Sequence, residues 1–248
     1  MSANTLKGAL GSTFGKVGNA VNLSDLRNAN TLNIIKNDFN SITMENEMKP
    51  DNILGSRPTT MTVAEAKAKG YYIPDNYKES TVPSLNFREV DGALEVAAKN
   101  GLKMRAHTLV WHSQTPDWFF KENFDPNGAW VSKDKMTKRL ENYIKTVMET
   151  LAKDYPDVEF YAWDVVNEAA SDAGTIRDAG SNNEVNGQSA WVKVYGDQSY
   201  IPLAFEFAKK YAPAGCKLFY NDYNEYSPNK QAYIISDILK PLVEKNLI

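Results

Sequence analysis

The chain has 248 residues, of which 42% are hydrophobic, and a formal net charge of −3 at neutral pH. Acidic and basic residues are mixed along it, so its charge does not predict nucleic acid or a membrane surface as a partner. No apolar run reaches the length of a membrane span, and Cys216, the only cysteine, excludes an internal disulfide.

Short apolar runs alternate with longer amphipathic segments, a pattern that predicts repeated βα units. We predict a first strand over residues 6–10 and a second over residues 41–44. Between them we predict a helix over residues 24–37, capped by Ser24 and with Asp25 in its first turn.

The middle of the chain predicts two strands, at residues 103–109 and 160–166, each preceded by a helix. The first helix covers residues 87–100, and Gly101 stops it. The second covers residues 132–155. The apolar stripe of the first helix is Val90, Leu94 and Ala97 or Ala98, and that of the second is Met136, Leu140, Tyr143, Ile144, Val147 and Leu151.

The last third predicts one helix or a pair of helices over residues 190–211, a fifth strand over 218–220 and a final helix over 229–246. Two long loops interrupt the βα rhythm. Residues 55–86, rich in proline and tyrosine, form an excursion of the second βα loop, and residues 171–189 form a mobile loop beside the fourth strand. Neither loop indicates a separate domain, so we expect a single domain over residues 1–248.

Polar side chains follow four of the predicted strands, at the end where a parallel α/β barrel carries its functional groups. An isolated Asn-Glu pair after a strand usually just begins a polar loop, but four such strand ends in one chain favour a site. These residues are Glu45, Asn46 and Lys49; His107, Trp111, His112 and Gln114; Asn167 and Glu168; and Asn221, Asp222, Tyr223 and Asn224.

In this order the four motifs resemble those of glycoside hydrolase family 10, the retaining endo-1,4-β-xylanases. The resemblance runs from about residue 6 to residue 248. It implies an α/β fold of the (β/α)8 TIM-barrel type, of which this sequence holds about the first five βα units. It also implies hydrolysis of internal β-1,4-xylosidic bonds, with xylan and xylo-oligosaccharides as partners and no cofactor.

Retaining hydrolysis needs an acid at the leaving oxygen and a second carboxylate at the anomeric carbon, roughly 5 Å apart. By the resemblance, Glu168 is the acid that then becomes the base. This role requires a raised pKa, on the order of 6, which partial burial and a neighbouring carboxylate would produce. Asp164 lies on the same strand and either tunes Glu168 or makes a structural hydrogen bond.

The resemblance assigns Glu45, Asn46 and Lys49 to a distal glycone subsite, although alone they would read as a solvated charged turn. It assigns His107, Trp111 and Gln114 to the proximal glycone subsites. We expect both groups on one wall of a cleft, where Trp111 either stacks on a pyranose or is a core tryptophan.

By the same resemblance Asn167 holds the 2-hydroxyl of the glycone sugar. Asn221 and Tyr223 contact substrate near the cleavage point and on its leaving-group side, although Tyr223 could also be an ordinary strand-end tyrosine. His107 and His112 are the only histidines, and their spacing of five does not put them on one helical face, so we predict no metal site.

The sequence departs from the family after its fifth strand. Family members carry their nucleophile in a Thr-Glu-Leu-Asp-like motif on a seventh strand, which these 248 residues do not match. We therefore expect the nucleophile outside this chain and the chain alone to be inactive, because Glu225, the nearest substitute, has the wrong neighbours. The alternative is a non-catalytic xylan-binding fragment or half of a split barrel, completed by self-association or by a C-terminal fragment. The family implies a secreted protein, although the N-terminus has no signal-peptide pattern.

Overall fold

Five parallel strands form the central sheet of the computed structural model, which describes residues 4–182 and 185–248. Their spatial order is β1 (Gly18–Val21), β2 (Ser41–Met44), β5 (Lys103–Trp111), β6 (Phe160–Asn167) and β7 (Lys217–Asn221). Two further strands, β3 (Thr60–Thr62) and β4 (Thr81–Pro83), form a separate antiparallel pair. Because every pairing in the central sheet is parallel, the carboxyl ends of its strands lie along one edge.

Most helices follow a strand and bury residues in one continuous core. No helix in the described ranges is long and apolar enough to cross a membrane. The helices are α1 (Leu6–Phe14), α2 (Leu23–Arg27), α3 (Ala29–Asp38), α4 (Pro50–Leu54), α5 (Val63–Ala68), α6 (Arg88–Asn100), α7 (Lys133–Asp154), α8 (Ala190–Tyr195), α9 (Tyr200–Tyr211), α10 (Pro228–Tyr233) and α11 (Lys240–Glu244), with 3-10 turns at Asp117–Phe120 and Glu122–Phe124 and a π-helical turn at Ile234–Leu239. Helix α1 precedes β1 and buries none of its residues, and α5 packs in a separate small core.

The predicted first strand at residues 6–10 is wrong, because this segment belongs to helix α1. The Thr5 hydroxyl caps the helix by accepting a hydrogen bond from the Gly8 amide at 3.2 Å, and Gly15, with φ of 73°, ends it. The first strand is instead β1. There a Cβ atom on Gly18 would lie 2.2 Å from Ser41 Oγ, so the glycine allows β1 to approach β2 closely.

The single helix predicted over residues 24–37 is two helices, α2 and α3. The chain turns at Asn28, whose side chain accepts hydrogen bonds from the amides of Asn30 and Thr31 and so caps α3. Asn22, and not Ser24, caps α2. Asp25 lies in the first turn as predicted and accepts a hydrogen bond from the Asn22 amide at 2.8 Å.

The other predicted elements agree with the structure to within about two residues. Strand β2 has the predicted bounds, and Gly101 ends α6 in the left-handed conformation. Helix α7 is capped by Ser132, and all six residues of its predicted stripe are buried. Residues 190–211 form a pair of helices, and residues 229–246 lie in one run of α10, the π-helical turn and α11.

The excursion at residues 55–86 carries β3, α5 and β4 around a small core of its own. Its two ends meet where the Asn86 amide donates to the Ile53 carbonyl at 2.8 Å. Its far side is anchored by Arg139, which is fully buried and ion-paired with Glu79, and by Asn142, which donates to the Tyr72 carbonyl.

The second long loop, predicted over residues 171–189, lies beside the end of β6. Isolated bridges join Ala170 to Ile176 and Ala179 to Ser189. The predicted mobility of this loop includes residues 183 and 184, which lie outside the described residues, as do residues 1–3. The loop brings Arg177 against the residue that follows β6, which positions the candidate site.

Candidate active site

Glu168 directly follows β6, and its main chain is held on both sides. Its amide donates to the Asn221 carbonyl at 2.8 Å, and its own carbonyl accepts from Arg177 Nε at 2.6 Å. The φ of Glu168 is 52°, a left-handed conformation that costs energy for a residue other than glycine. These contacts hold the strained turn and fix where the carboxyl group lies above the strand ends.

The Glu168 carboxylate accepts a hydrogen bond from Trp111 Nε1 at 2.8 Å. Burial is the largest influence on the Glu168 pKa and raises it, and the negative charge of Asp222 raises it further. The Trp111 hydrogen bond and the charges of Arg177 and Lys230 oppose this rise without cancelling it. The raised pKa agrees with the direction predicted from the sequence and makes Glu168 a better proton donor near neutral pH.

On one side of Glu168, Lys49 joins two strand ends. Its ammonium group donates to Asn46 Oδ1 at 3.1 Å and to Gln114 Oε1 at 3.0 Å, and it lies 5.1 Å from the centre of the Trp111 ring. Because Trp111 also bonds Glu168, these side chains form a continuous polar wall that leads to the carboxyl group. We call Glu45, Asn46, Lys49, Trp111 and Gln114 the glycone-side wall.

Glu45 joins this wall through Asn22, a residue that the sequence analysis did not identify. Asn22 Nδ2 donates to Glu45 Oε2 at 2.6 Å, and Asn46 Nδ2 donates to Asn22 Oδ1 at 2.9 Å. The predicted proximity of the first two motifs therefore holds for Glu45, Asn46, Lys49, Trp111 and Gln114, whereas His107 contacts Asp164 instead. Trp111 itself is only 7% exposed, so little of its ring is open to stack on a sugar. Its hydrogen bond to Glu168 is the contact that the structure defines.

Two amide side chains lie beside Glu168, at the ends of β6 and β7. Asn167, at the end of β6, is buried, and its Oδ1 accepts a hydrogen bond from Asn221 Nδ2 at 2.9 Å. Asn221 also holds the Glu168 amide through its carbonyl. The ends of β6 and β7 are thus joined at the point where the acid group emerges.

On the other side of Glu168 lies an ionic cluster around a fully buried lysine. Lys230 Nζ is 2.9 Å from Asp172 and 2.9 Å from Asp222, and 4.0 Å from the centre of the Tyr223 ring. The Tyr220 hydroxyl donates to Asp222. We call Asp172, Tyr220, Asp222, Tyr223 and Lys230 the lysine cluster; within it Tyr223 remains 41% exposed.

Asp164 makes structural contacts, the second of the two predicted alternatives. Its carboxylate lies 2.7 Å from Arg105 Nη2 and 2.9 Å from His107 Nδ1, and the leading influences on the Glu168 pKa come from other groups. His107 is thereby held by Asp164, with its side chain 17% exposed, and makes no recorded hydrogen bond to the other predicted site residues.

His112 is buried, and burial, followed by the nearby charge of Arg177, lowers its pKa to about 3. It is therefore neutral near pH 7. In the part of the chain that the structure describes, no group of three or more His, Cys, Asp or Glu side chains is arranged to hold a metal ion.

Comparison with known proteins places the whole chain in one group. The model of glycosyl hydrolase family 10 matches residues 5–248. The chain belongs to this family. Endo-1,4-beta-xylanase Y of Acetivibrio thermocellus is 43% identical over 254 residues, which cover 100% of this chain and 21% of that protein. Endo-1,4-beta-xylanase A of Butyrivibrio fibrisolvens is 42% identical over 93% of this chain and 54% of its own length.

Solved family 10 structures agree with the sequence relatives. The CBM22-1 and GH10 modules of the N-terminal xylanase 10B of Clostridium thermocellum, solved with xylohexaose, superpose with a TM-score of 0.84 at 41% identity, over 100% of this chain and 45% of that one. The endo-1,4-beta-xylanase of Caldicellulosiruptor owensensis gives a TM-score of 0.71 at 36% identity, over 98% of this chain and 60% of that one. These chains are TIM barrels, and the five-stranded parallel sheet is part of such a barrel. The present chain spans about a fifth to three fifths of these relatives.

Within this family 10 chain, the structure brings most of the predicted site residues together around Glu168. Several residues that hold the site were missed. Asn22 and Arg177 lie in polar loops, where an amide or a cation gives no signal, and Lys230 reads from the sequence as one solvated lysine among many. Lys230 lies in the short helix α10, and its ammonium group contacts Asp222. The sequence alone does not show this contact, because it depends on how α10 packs against the end of β7.

Proposed function

We propose that this chain provides the acid/base half of the catalytic domain of a retaining endo-1,4-β-xylanase, which hydrolyses internal β-1,4-xylosidic bonds of xylan. The observation that carries the proposal is the position of Glu168. It follows the central strand, is hydrogen-bonded by Trp111 at 2.8 Å and has a pKa raised by burial. The xylanase names of the relatives, and the xylohexaose and xylotriose in neighbouring structures, support the substrate class.

In the first step, protonated Glu168 donates its proton to the glycosidic oxygen while the bond between this oxygen and the anomeric carbon breaks. A second carboxylate attacks the anomeric carbon and forms a covalent glycosyl-enzyme. In the second step Glu168, now ionised, takes a proton from water, which attacks the same carbon and releases the sugar with retained configuration. The hydrogen bonds that the Glu168 main chain makes, donating to the Asn221 carbonyl and accepting from the Arg177 side chain, support this role, because both steps need the carboxyl group in one place.

The glycone-side wall suits a neutral sugar. Its groups are amide oxygens and nitrogens, one carboxylate and one ammonium group, and Lys49 is already hydrogen-bonded to Asn46 and Gln114. We propose that Glu45, Asn46, Lys49, His107, Trp111 and Gln114 bind the glycone sugars, Asn167 the 2-hydroxyl, and Asn221 and Tyr223 the sugar at the leaving-group side.

We further propose that the second carboxylate comes from outside these 248 residues. Asp222 is the carboxylate that acts on Glu168, but its side chain is 3% exposed and it is engaged by Lys230 and Tyr220, so it is not free to attack a sugar. Glu225 is exposed on the surface. The 248 residues by themselves would then bind xylo-oligosaccharides without cleaving them.

The test compares the chain of verified mass with the same chain mixed with the part of the Butyrivibrio fibrisolvens xylanase that it does not cover. We expect xylan hydrolysis only in the mixture. There, Glu168→Ala should slow hydrolysis of xylan by about 10²-fold or more, and that of a nitrophenyl xylobioside far less, because a nitrophenolate leaves without a proton. Equal losses on both substrates would remove Glu168 from the acid role. Turnover by the chain alone would show that the nucleophile lies within it.

A xylan-binding fragment without catalysis is the second candidate, and the hydrogen bonds that already position Glu45, Asn46, Lys49 and Gln114 within this chain favour it. It predicts that the chain binds xylohexaose whether or not the complementing part is present, and that the mixture also fails to hydrolyse xylan. Both candidates predict that the chain alone binds xylohexaose, so xylan hydrolysis by the mixture separates them. Calorimetric titration with xylohexaose on the same preparations verifies that the chain is competent to bind.

A further inference from the structure

The lysine cluster beside Glu168 has a buried ion pair that the proposed mechanism does not use. The Lys230 side chain is 0% exposed, and its partner Asp222 is 3% exposed, whereas its other partner Asp172 is 57% exposed. Removing two charges from water costs several kcal/mol per ion, so an ion pair of this kind is not needed for stability alone. Its contacts with the acid group indicate what it does.

The first contact between the lysine cluster and the acid group is a chain of hydrogen bonds through Tyr220. The Tyr220 hydroxyl donates its proton to Asp222 and accepts hydrogen bonds from the amides of Ala169 at 3.1 Å and Ala170 at 3.2 Å. A hydroxyl has one proton and two lone pairs. Because the Tyr220 O–H donates its hydrogen bond to Asp222, both lone pairs of the hydroxyl oxygen can accept hydrogen bonds from the two amides that directly follow Glu168.

The second contact is electrostatic. After burial, the charge of Asp222 is the main influence that raises the Glu168 pKa. The other groups that face Glu168 are Arg177 from the 171–189 loop and Lys230 from α10, which oppose the rise, and His112 from the end of β5, which is neutral. Asp222 is thus the recorded negative charge that acts on the acid group.

Lys230 keeps this negative charge in place. Burial acts against the charged form of Lys230, but its hydrogen bonds and ion pairs with Asp172 and Asp222 raise its pKa above the ordinary value. We propose that Asp222 is a positioning residue for Glu168: its carboxylate, paired with Lys230, fixes Tyr220 against the main chain after Glu168 and holds a negative charge beside the Glu168 side chain. The inference rests on the proposed role of Glu168 as acid and base.

The test uses Trp111 as a reporter. Its indole N–H donates to Glu168, so the indole nitrogen and proton resonances follow the ionisation of that carboxyl group. The full chain is labelled with 15N at its five tryptophans, and Trp111→Phe assigns the resonance. Glu168→Gln must remove the pH inflection of this resonance. Asp222→Asn, which keeps the side-chain shape, should lower the inflection by about half a pH unit or more.

Asp172→Asn is the matched control, since it removes the same charge from the same lysine at a side chain that is 57% exposed, where water screens the charge. We expect the inflection of this variant to stay where it is in the wild type. An unchanged or higher inflection in Asp222→Asn would overturn the proposal, and so would an equal shift in both variants.

A second measurement tests the chain of hydrogen bonds through Tyr220 and decides the matter if Asp222→Asn does not fold. Tyr220→Phe removes the hydroxyl, so hydrogen exchange of the Ala169 and Ala170 amides should quicken by on the order of tenfold. Unchanged protection of both amides would overturn the proposal. Neither measurement requires turnover, so a failure here is distinguishable from a failure to hydrolyse xylan, which would count against the proposed function instead.

Discussion

The two sides of the Glu168 carboxyl group are built on different physical principles. Apart from the buried Trp111, the glycone-side wall consists of exposed or partly exposed groups joined by hydrogen bonds, with Lys49 shared between Asn46 and Gln114. The lysine cluster instead has a fully buried cation between two carboxylates. Exposed hydrogen-bonding groups can exchange their partners for sugar hydroxyls at little cost, whereas a buried ion pair cannot. The first side is suited to binding and the second to holding a fixed charge.

The same substitution on the two sides should separate these roles, and the largest effect is expected at the buried lysine. Lys230→Met leaves Asp222 buried without its cation, which should lower the free energy of unfolding by about 3–5 kcal/mol. Urea denaturation at pH 7 measures it. A loss below about 1 kcal/mol is what an exposed ion pair would give. The lysine cluster would then not differ from the glycone-side wall in the way described above.

His112, which lies near the boundary between the sides, should make the fold sensitive to acid. Its folded pKa of about 3 is below its unfolded value of 6.5, so stability present above pH 6.5 is lost as the pH falls toward 3. This one group contributes up to about 1.4 kcal/mol per pH unit in that window. In His112→Gln, the unfolding free energy should depend less on pH between these values than in the wild type. Above pH 7 the two curves of unfolding free energy against pH should be parallel. Parallel curves throughout would contradict the assigned burial effect.

On the glycone side, Lys49→Met should weaken binding and leave the fold intact. We expect the affinity for xylotriose to fall roughly tenfold, because hydrogen bonds to a charged donor are lost, with a change in unfolding free energy within about 0.5 kcal/mol. Calorimetry at low and high salt should give similar affinities, since the ligand is neutral. Lys69→Met, at the exposed end of α5, is the control and should bind as the wild type does. Unaltered affinity in Lys49→Met would remove this residue from the binding surface.

The smallest expected effect is on the stability carried by Glu168 itself. Its folded pKa is raised above 4.5, so the protonated form favours folding, and that contribution is present below pH 4.5 and lost as the pH rises through the folded pKa. Glu168→Gln should therefore be more stable than the wild type at pH 8, by about 1 kcal/mol or less, and equal to it near pH 4. Thermal unfolding at the two pH values measures the difference. Equal stability at pH 8 would indicate that burial costs the carboxylate nothing.

The regular core could be predicted from the sequence because its signals are local. Helix α7 has a serine cap and an apolar stripe along its length, and β6 is an apolar and aromatic run interrupted only by Asp164 before its final Asn167. Strand β1 could not, because Gly18–Val21 has no strand-forming pattern and exists only through its pairing with β2. The strand prediction for residues 6–10 is wrong because Leu6 and Leu10 have the four-residue spacing of a helix. The Thr5 cap then starts helix α1 at this point.

The candidate site divides in the same way. Strand-end motifs predicted the glycone-side wall and Glu168, since parallel strands bring their carboxyl ends together. They could not predict that Asp164 would turn to Arg105 and His107, because strand alternation does not specify which neighbour a carboxylate meets. Nor could they identify Lys230, whose role depends on a helix folding back over the β7 end.

The excursion at residues 55–86 has a consequence for how this chain tolerates changes of length. Its entry and exit are joined by the hydrogen bond from Asn86 to Ile53, so a short turn could replace it without moving the strand ends. Arg139 and Asn142 would then lose their partners Glu79 and Tyr72 inside the protein. Arg139 would keep its hydrogen bonds to the Phe119 and Lys121 carbonyls, but its guanidinium charge would have no carboxylate beside it. The length of this excursion is therefore coupled to the side chains at two positions of α7.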